Sequence, residues 1–386
     1  MAQEDLLIDF LLLLALLFFL PRVIDRAYKI PHPLIEVVLG ATAALFAPAY
    51  FSGNAIIPII AALGIITLFV YAGLEADVTF IRKEKRVFLE NLAIHLLFFG
   101  LVGVATHALT SLTWQASLLV SLALTTPSAS YIFSTTKALA TRDRTWIEGK
   151  ALAAEIMAIL LLALLLGIDS ARELAIAFGT LVGLVFILPL LLAWLYKHLV
   201  SRVIGSEFPF ILVVALFAAY VTEQVGMHFL VGAFVAGLVA KRFITGVAHD
   251  RAYSHVTHER AKEIMEGFGF FSATFAPFYF FSTGLTLTRD LLTSTAIFVA
   301  LAVFALVCAA RVGFMTTHRK VRIVERPTTG LRISLMLLPT LVFTFVTAQI
   351  LHDQFAISDT LFAVLLLYGI LTAIVPIIAL RLMKTS

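Results

Sequence analysis

Long apolar stretches separated by short polar ones recur from one end of this 386-residue chain to the other. They fall near 6–24, 34–51, 55–74, 87–110, 115–137, 147–167, 173–197, 208–225, 228–247, 269–287, 291–317, 328–351 and 356–381. Each is long enough as a helix to cross a hydrocarbon core of about 30 Å, or close to it. The polar segments between them are too short to hold a soluble domain. The pattern predicts an all-α polytopic membrane protein with about 13 transmembrane helices. The first stretch reads as a span and not a cleavable leader, because the residues before it are acidic and Arg22 and Arg26 follow it. The near-continuity of 208–225 and 228–247 leaves a re-entrant pair open there.

Composition agrees: 61% of residues are hydrophobic and 13% charged, against about 25% charged in ordinary soluble domains. One cysteine, Cys308, excludes an intrachain disulfide and a Cys-rich metal site. The formal charge of +4 does not point to nucleic acid, because the basic residues gather in alternate loops. Of 28 Lys and Arg, 25 fall on one side, Lys150 counted among them, and Arg172 and Arg289 on the other. By the positive-inside rule the N-terminus lies outside and the C-terminus in the cytoplasm, in an inner or plasma membrane. Arg311 is left inside a span.

The chain repeats itself. Phe69-Val-Tyr-Ala-Gly-Leu-Glu75 matches Phe280-Phe-Ser-Thr-Gly-Leu-Thr286, with Gly73 and Gly284 separated by 211 positions. Leu124-Thr-Thr-Pro-Ser128 matches Leu337-Leu-Pro-Thr340, with Pro127 and Pro339 separated by 212. Leu39-Gly-Ala-Thr-Ala-Ala44 matches Val231-Gly-Ala-Phe-Val-Ala236, separated by 192, and the polar segment 249–267 accounts for the extra length gained afterwards. The copies are seven spans apart, an odd number, so they are inverted in the membrane.

Proline in mid-span removes a helix hydrogen bond, and lipid cannot satisfy the groups it frees. The breaks at Pro127 and Pro339 must therefore be buried in protein. Interrupted helices at corresponding positions of inverted halves mark a substrate site near the midplane. Hydroxyls crowd both: Thr125, Thr126, Ser128 and Ser130 at one, Thr340, Thr344 and Thr347 at the other. The plainer alternative is that proline and threonine only kink and pack these helices. Between the breaks in sequence, Glu155 stands in the apolar run 151–167. A mid-helix carboxylate costs roughly 2.5 to 3.5 kcal/mol on insertion scales, so it is read as a functional group facing protein or water.

Several motifs together resemble a family: Pro33-Leu-Ile-Glu-Val-Val-Leu-Gly40, Gly73-Leu-Glu75, Gly226-Met-His-Phe-Leu-Val-Gly-Ala-Phe-Val-Ala-Gly237 and Phe275-Ala-Pro-Phe-Tyr-Phe-Phe-Ser-Thr-Gly-Leu285. With the repeat, they resemble the cation:proton antiporters, and more closely the second branch of that superfamily, over nearly the whole chain. The resemblance implies a homodimer with a dimerisation domain and a mobile core holding two crossing broken helices, working by an elevator movement. It implies dimerisation helices in 1–86, core helices in 87–167 with the first break, and a linker helix in 168–207. Dimerisation helices return in 208–290, with a cytoplasmic surface segment at 248–267, and the core returns in 291–386 with the second break. It further implies that Glu155 is the carboxylate shared by cation and proton, and that Arg311 is the family's basic residue. This chain departs from the family at Ala154, where a second polar residue is usual, at Thr126, where some members carry Asp, and at Thr340-Leu-Val, which lacks an acid some relatives have.

A carboxylate taken out of water holds a proton or a cation in preference to standing bare, and competition for the same oxygens couples the two fluxes. Hard monovalent cations take oxygen ligands. Glu155 and Thr126, with Ser128 and freed carbonyls, are the candidate ligands for sodium or potassium, and no cofactor is implied. Arg311 cannot lose its proton and needs partners for five donors; Glu155 is the simplest, and snorkelling toward the cytoplasmic end is the alternative. One carboxylate beside one permanent positive charge predicts electroneutral exchange. A proton- or sodium-coupled carrier of a small anion and a sensor without transport are the competing functions. No nucleophile and base at catalytic spacing appears in the spans, so an enzyme is not expected. Glu75 reads as an interfacial acid and Glu36 as a funnel or headgroup residue. His95 and His107 are structural or pH-sensing, and 249–267 is a surface helix or a pH sensor.

Overall fold

A computed structural model of the chain describes residues 3–28, 30–51, 56–76, 85–136, 139, 141–166, 170–198, 207–247, 258–322 and 327–385. These are helical almost throughout, with no strand among them. In chain order the helices are α1 (Gln3–Tyr28), α2 (His32–Phe46), α3 (Pro48–Phe51), α4 (Ile56–Glu75), α5 (Lys85–Leu109), α6 (Trp114–Thr125), α7 (Ala129–Thr136) and α8 (Thr141–Leu166). They continue as α9 (Ala171–His198), α10 (Glu207–Gln224), α11 (Phe229–Val247), α12 (His258–Leu285), α13 (Ser294–Arg322), α14 (Pro327–Met336), α15 (Leu341–Phe355) and α16 (Asp359–Thr385).

Each apolar stretch read from the sequence coincides with one helix or with a pair interrupted next to a proline: α2 with the one-turn α3, α6 with α7, and α14 with α15. Among the described residues seven helices are individually long and apolar enough to cross a membrane, or eight when the pair α14 and α15, bent by 45°, is taken as one span. Interruption by a break is one reason that a stretch read from the sequence falls outside this figure. A helix cut by a break, such as α6 with 12 residues, is too short to qualify alone. The polar segment 248–257, with its candidate pH sensors His249 and His255, lies outside the described residues. The side chains of His258 and Ser130 also lie outside them.

The chain divides into two compact units. One holds 54–78 and 159–279; the other holds 1–53, 79–158 and 280–386. Within the first, α4 lies against α11 at backbone contact: a Cβ on Gly73 would run into Phe234 O, and one on Gly237 into Val70 O. Lys241 Nζ on α11 reaches the end of α4 and donates to the carbonyls of Glu75 and Ala76 at 3.2 and 3.0 Å. A basic side chain on final-turn carbonyls is a normal helix ending.

Within the second unit, α2 meets the C-terminal end of α12 in the same manner. A Cβ on Gly40 would run into Phe281 O, and one on Gly284 into Val37 O. So α2 of the first repeat packs on α12 of the second, while α11 of the second packs on α4 of the first. Exchanged pairing of equivalent helices is what an inverted repeat produces. Glu36 on α2 is buried, and not in contact with a headgroup region as one reading of the sequence had it. The same unit contains α5, α6, α7, the N-terminal half of α8, α13, α14, α15 and α16, and with them both proline breaks.

Candidate functional site

Helix α6 ends at Thr125, and Thr126, Pro127 and Ser128 run on without helical structure before α7 begins. Helix α14 ends at Met336, and Leu337 to Thr340 form the second break. A helix end leaves its last carbonyls without intrahelical partners, and in a membrane interior each must find one in the protein. The partners can be traced one by one.

At the first break the hydroxyl of Thr125 donates to Ser121 O at 2.8 Å, and Thr126 N–H to Leu122 O at 3.2 Å. Ala123 O accepts from the hydroxyl of Thr344 at 2.7 Å. Leu124 O accepts from Tyr368 Oη at 2.7 Å and from Arg311 Nη1 at 3.3 Å. At the second break Leu337 N–H and Leu338 N–H donate to Ser334 O and Leu335 O, both at 3.2 Å. Leu337 O accepts from Arg311 Nη2 at 2.9 Å and Leu338 O from Arg311 Nη1 at 3.0 Å. Pro339 O accepts from the main-chain N–H of Ser128 at 2.8 Å, so the two breaks are hydrogen-bonded to each other.

Arg311 is thus the element that joins the ends of α6 and α14. It is 1% exposed, on α13, and its guanidinium serves three carbonyls and the hydroxyl of Tyr368. Helix C-termini carry partial negative charge, and a fixed cation on two of them at once is favourable. The sequence reading paired Arg311 with Glu155, or let it snorkel. At 1% exposure the side chain does not snorkel, and the contacts of its guanidinium are main-chain carbonyls and the hydroxyl of Tyr368. No sequence pattern names a main-chain acceptor, which is why this was missed.

The hydroxyls divide into two kinds. Thr340 is tied down: its Oγ1 lies 2.7 Å from that of Thr344 and 3.1 Å from that of Thr372, whose hydroxyl also accepts from Thr340 N–H at 3.3 Å. Thr126 is not. It is fully buried, and its Oγ1 has no hydrogen-bond partner; the same holds for Thr347. Tyr368 and Thr372 on α16 were not singled out from the sequence. Their signal was weak: two hydroxyls four residues apart on one helix face of the last span.

Glu155 is 6% exposed on α8, whose most apolar stretch is 72% buried against 17% for those of α5 and α9. Its neighbour Ala154 lines a cavity with room for a water-sized occupant, and Glu155 lies about 100° further round the helix. Thr125, Pro127, Leu337 and Arg311 line the same cavity, as do Asn91 and His95 of α5 and Lys150 of α8. Lys150, counted from the sequence with a cytoplasmic loop, is 6% exposed inside the unit, because α8 carries it four residues below Ala154 on the cavity face. His107 takes the structural part, with Nδ1 3.0 Å from Leu112 O and its ring stacked on Trp114.

Comparison with known proteins gives the family and the fold. The sequence model of the transmembrane sodium/hydrogen exchanger family matches residues 12–383. Probable Na(+)/H(+) antiporter 3 of Methanocaldococcus jannaschii is 23% identical over 382 residues, covering 96% of this chain and 94% of its own. The K(+)/H(+) antiporter 1 of Saccharomyces cerevisiae is 27% identical over 325 residues, 73% of this chain but 35% of its own length. In structure the chain is similar to the sodium proton antiporter MjNhaP1 of Methanocaldococcus jannaschii at pH 8, with a TM-score of 0.68 over 98% of both chains at 16% identity.

Proposed function

We propose, from the premise that this chain belongs to the sodium/hydrogen exchanger family, that it exchanges a monovalent cation, sodium or potassium, for protons without moving net charge. The curated relatives, sodium/proton and potassium/proton antiporters by name, support cation/proton exchange as the reaction. The observation that carries the reading is the buried hydroxyl left over inside the first break. Every traced carbonyl has a partner, yet the buried hydroxyl of Thr126 has none, two residues from Ser128, whose N–H joins the two breaks. A partly dehydrated cation needs such an oxygen.

Glu155 supplies the charge in this account. It binds the cation in one half of the cycle and the proton in the other, with Thr126, Ser128 and carbonyl oxygens as further ligands. Arg311 cannot titrate and is fixed on carbonyls, so it holds the two breaks together and keeps local charge constant. One carboxylate trading one cation for one proton leaves the net charge transferred at zero. The alternating step is an elevator movement of a core formed from 87–167 and 291–386. That core moves against dimerisation helices in 1–86 and 208–290 of a homodimer, with the N-terminus outside.

Exchange in proteoliposomes tests this. An imposed sodium or potassium gradient is expected to drive proton movement that needs no permeant anion. Its rate is expected not to change with membrane potential, although each net charge moved would feel about 2.3 kcal/mol per 100 mV. Movement of an anion across the membrane in step with the protons, or a steep dependence on potential, would overturn the reading.

A further inference from the structure

The cavity beside the breaks is unusual in its charge. Lys150 Nζ and Arg311 are both buried against it, and the recorded contacts of Lys150 are with neutral groups: Asn91 Oδ1 at 3.3 Å, His318 Nδ1 at 3.2 Å and the face of Trp146. The other acids of α8 are engaged elsewhere. Asp143 is bound by Arg319 at 2.5 Å, and Glu148 by Arg144 at 2.8 Å and Thr136 at 3.0 Å. On α5, Glu90 pairs with Arg86.

Three residues lining the cavity carry a buried nitrogen with no hydrogen-bond partner: Asn91 Nδ2, His95 Nε2 and Arg311 Nε. Asn91 turns its carbonyl oxygen to Lys150, which leaves its amide nitrogen as the group without a partner. The three come from α5 and α13, and Lys150 from α8, so three helices bring donors to one small space. Arg311 has two helix C-termini to balance its charge, whereas Lys150 has no comparable counter-charge among its contacts. A water could accept two of these hydrogen bonds but would leave the charge of Lys150 unmatched.

We propose that this cavity binds a small monovalent anion of halide size, held by Lys150, Asn91, His95 and Nε of Arg311. The anion neutralises Lys150 beside the exchange site and accepts the bonds that the donors lack. The water-sized room selects a monatomic ion over phosphate or sulfate. The assignment stands independently of the exchange reading, since a bound halide is measured without transport.

The test uses the purified full-length chain in detergent, with sodium and ionic strength held constant while chloride or bromide replaces gluconate. The thermal midpoint is expected to rise saturably with halide, on the order of a few degrees, and not with sulfate. Lys150→Met and Asn91→Asp are both expected to lose the halide response. Asn91→Asp also guards against misfolding, because its own carboxylate stands in for the anion and its midpoint in gluconate should be at or above that of the unaltered protein. A bromide-substituted crystal should show an anomalous peak between Lys150 Nζ, Asn91 and His95. Equal midpoints in chloride and gluconate, or a halide response that survives Asn91→Asp, would overturn the proposal.

Discussion

The two proline breaks occupy equivalent places in the repeat, yet they are finished differently. At an offset of 212 Ser128 corresponds to Thr340, and Thr126 to Leu338. The second break is closed by its surroundings: Arg311 holds two of its carbonyls, Ser128 a third, and Thr340 sits in a net of hydroxyls with Thr344 and Thr372. At the first, Thr344, Tyr368 and Arg311 meet the carbonyls, and the hydroxyl of Thr126, inside the break itself, is buried without a partner; the matching orphan of the second half, Thr347, lies about two turns along α15 from its break. Duplication accounts for the two breaks, and the substitutions since then account for their division of labour. On the proposed reading the second serves as a fixed support and the first keeps Thr126 Oγ1 for an ion.

This difference can be attacked from the support side first. Arg311→Met would leave Leu337 O and Leu338 O without donors in a dry interior and should cost about 3 to 5 kcal/mol, read as a lowered denaturation midpoint with exchange lost. Arg311→Lys should recover part of that, since an ammonium cannot reach all the carbonyls that the planar fork does. Gly284→Ala drives a methyl into the backbone of α2 at Val37 and is expected to cost about 2 to 3 kcal/mol, by the same readout. Thr344→Val, which keeps shape but orphans Ala123 O, should cost about 1 kcal/mol.

Thr126→Val is the smallest in stability and the sharpest in meaning. Because no hydrogen bond is lost, the midpoint should stay within about 0.5 kcal/mol, while the cation concentration for half-maximal exchange rises. If instead Thr126→Val and Thr344→Val cost the same and neither shifts the cation dependence, the two breaks do not differ in the way described.

Much of this was legible in the sequence because it depends on local pattern. The apolar stretches, the two prolines, the hydroxyls around them and the lone acid Glu155 are each visible within one segment, and the structure has helices and breaks at those positions. What escaped the sequence depends on contacts across the chain. Arg311 reaches Leu124 across 187 positions and Thr344 reaches Ala123 across 221, and in both cases the acceptor is a carbonyl that every residue carries. Lys150 was misread for another reason. It stands near the edge of an apolar run, where hydropathy cannot tell a loop lysine from one turned inward, and only its four-residue spacing to Ala154 and its place on the helix of Glu155 hinted at the cavity face.

The most direct test of the central claim is proton release on cation binding to the purified protein in weakly buffered detergent solution. Addition of sodium or potassium should release protons from the unaltered chain, by competition at Glu155, and should release none from Glu155→Gln. Undiminished release from Glu155→Gln would contradict the account and remove that carboxylate from the exchange.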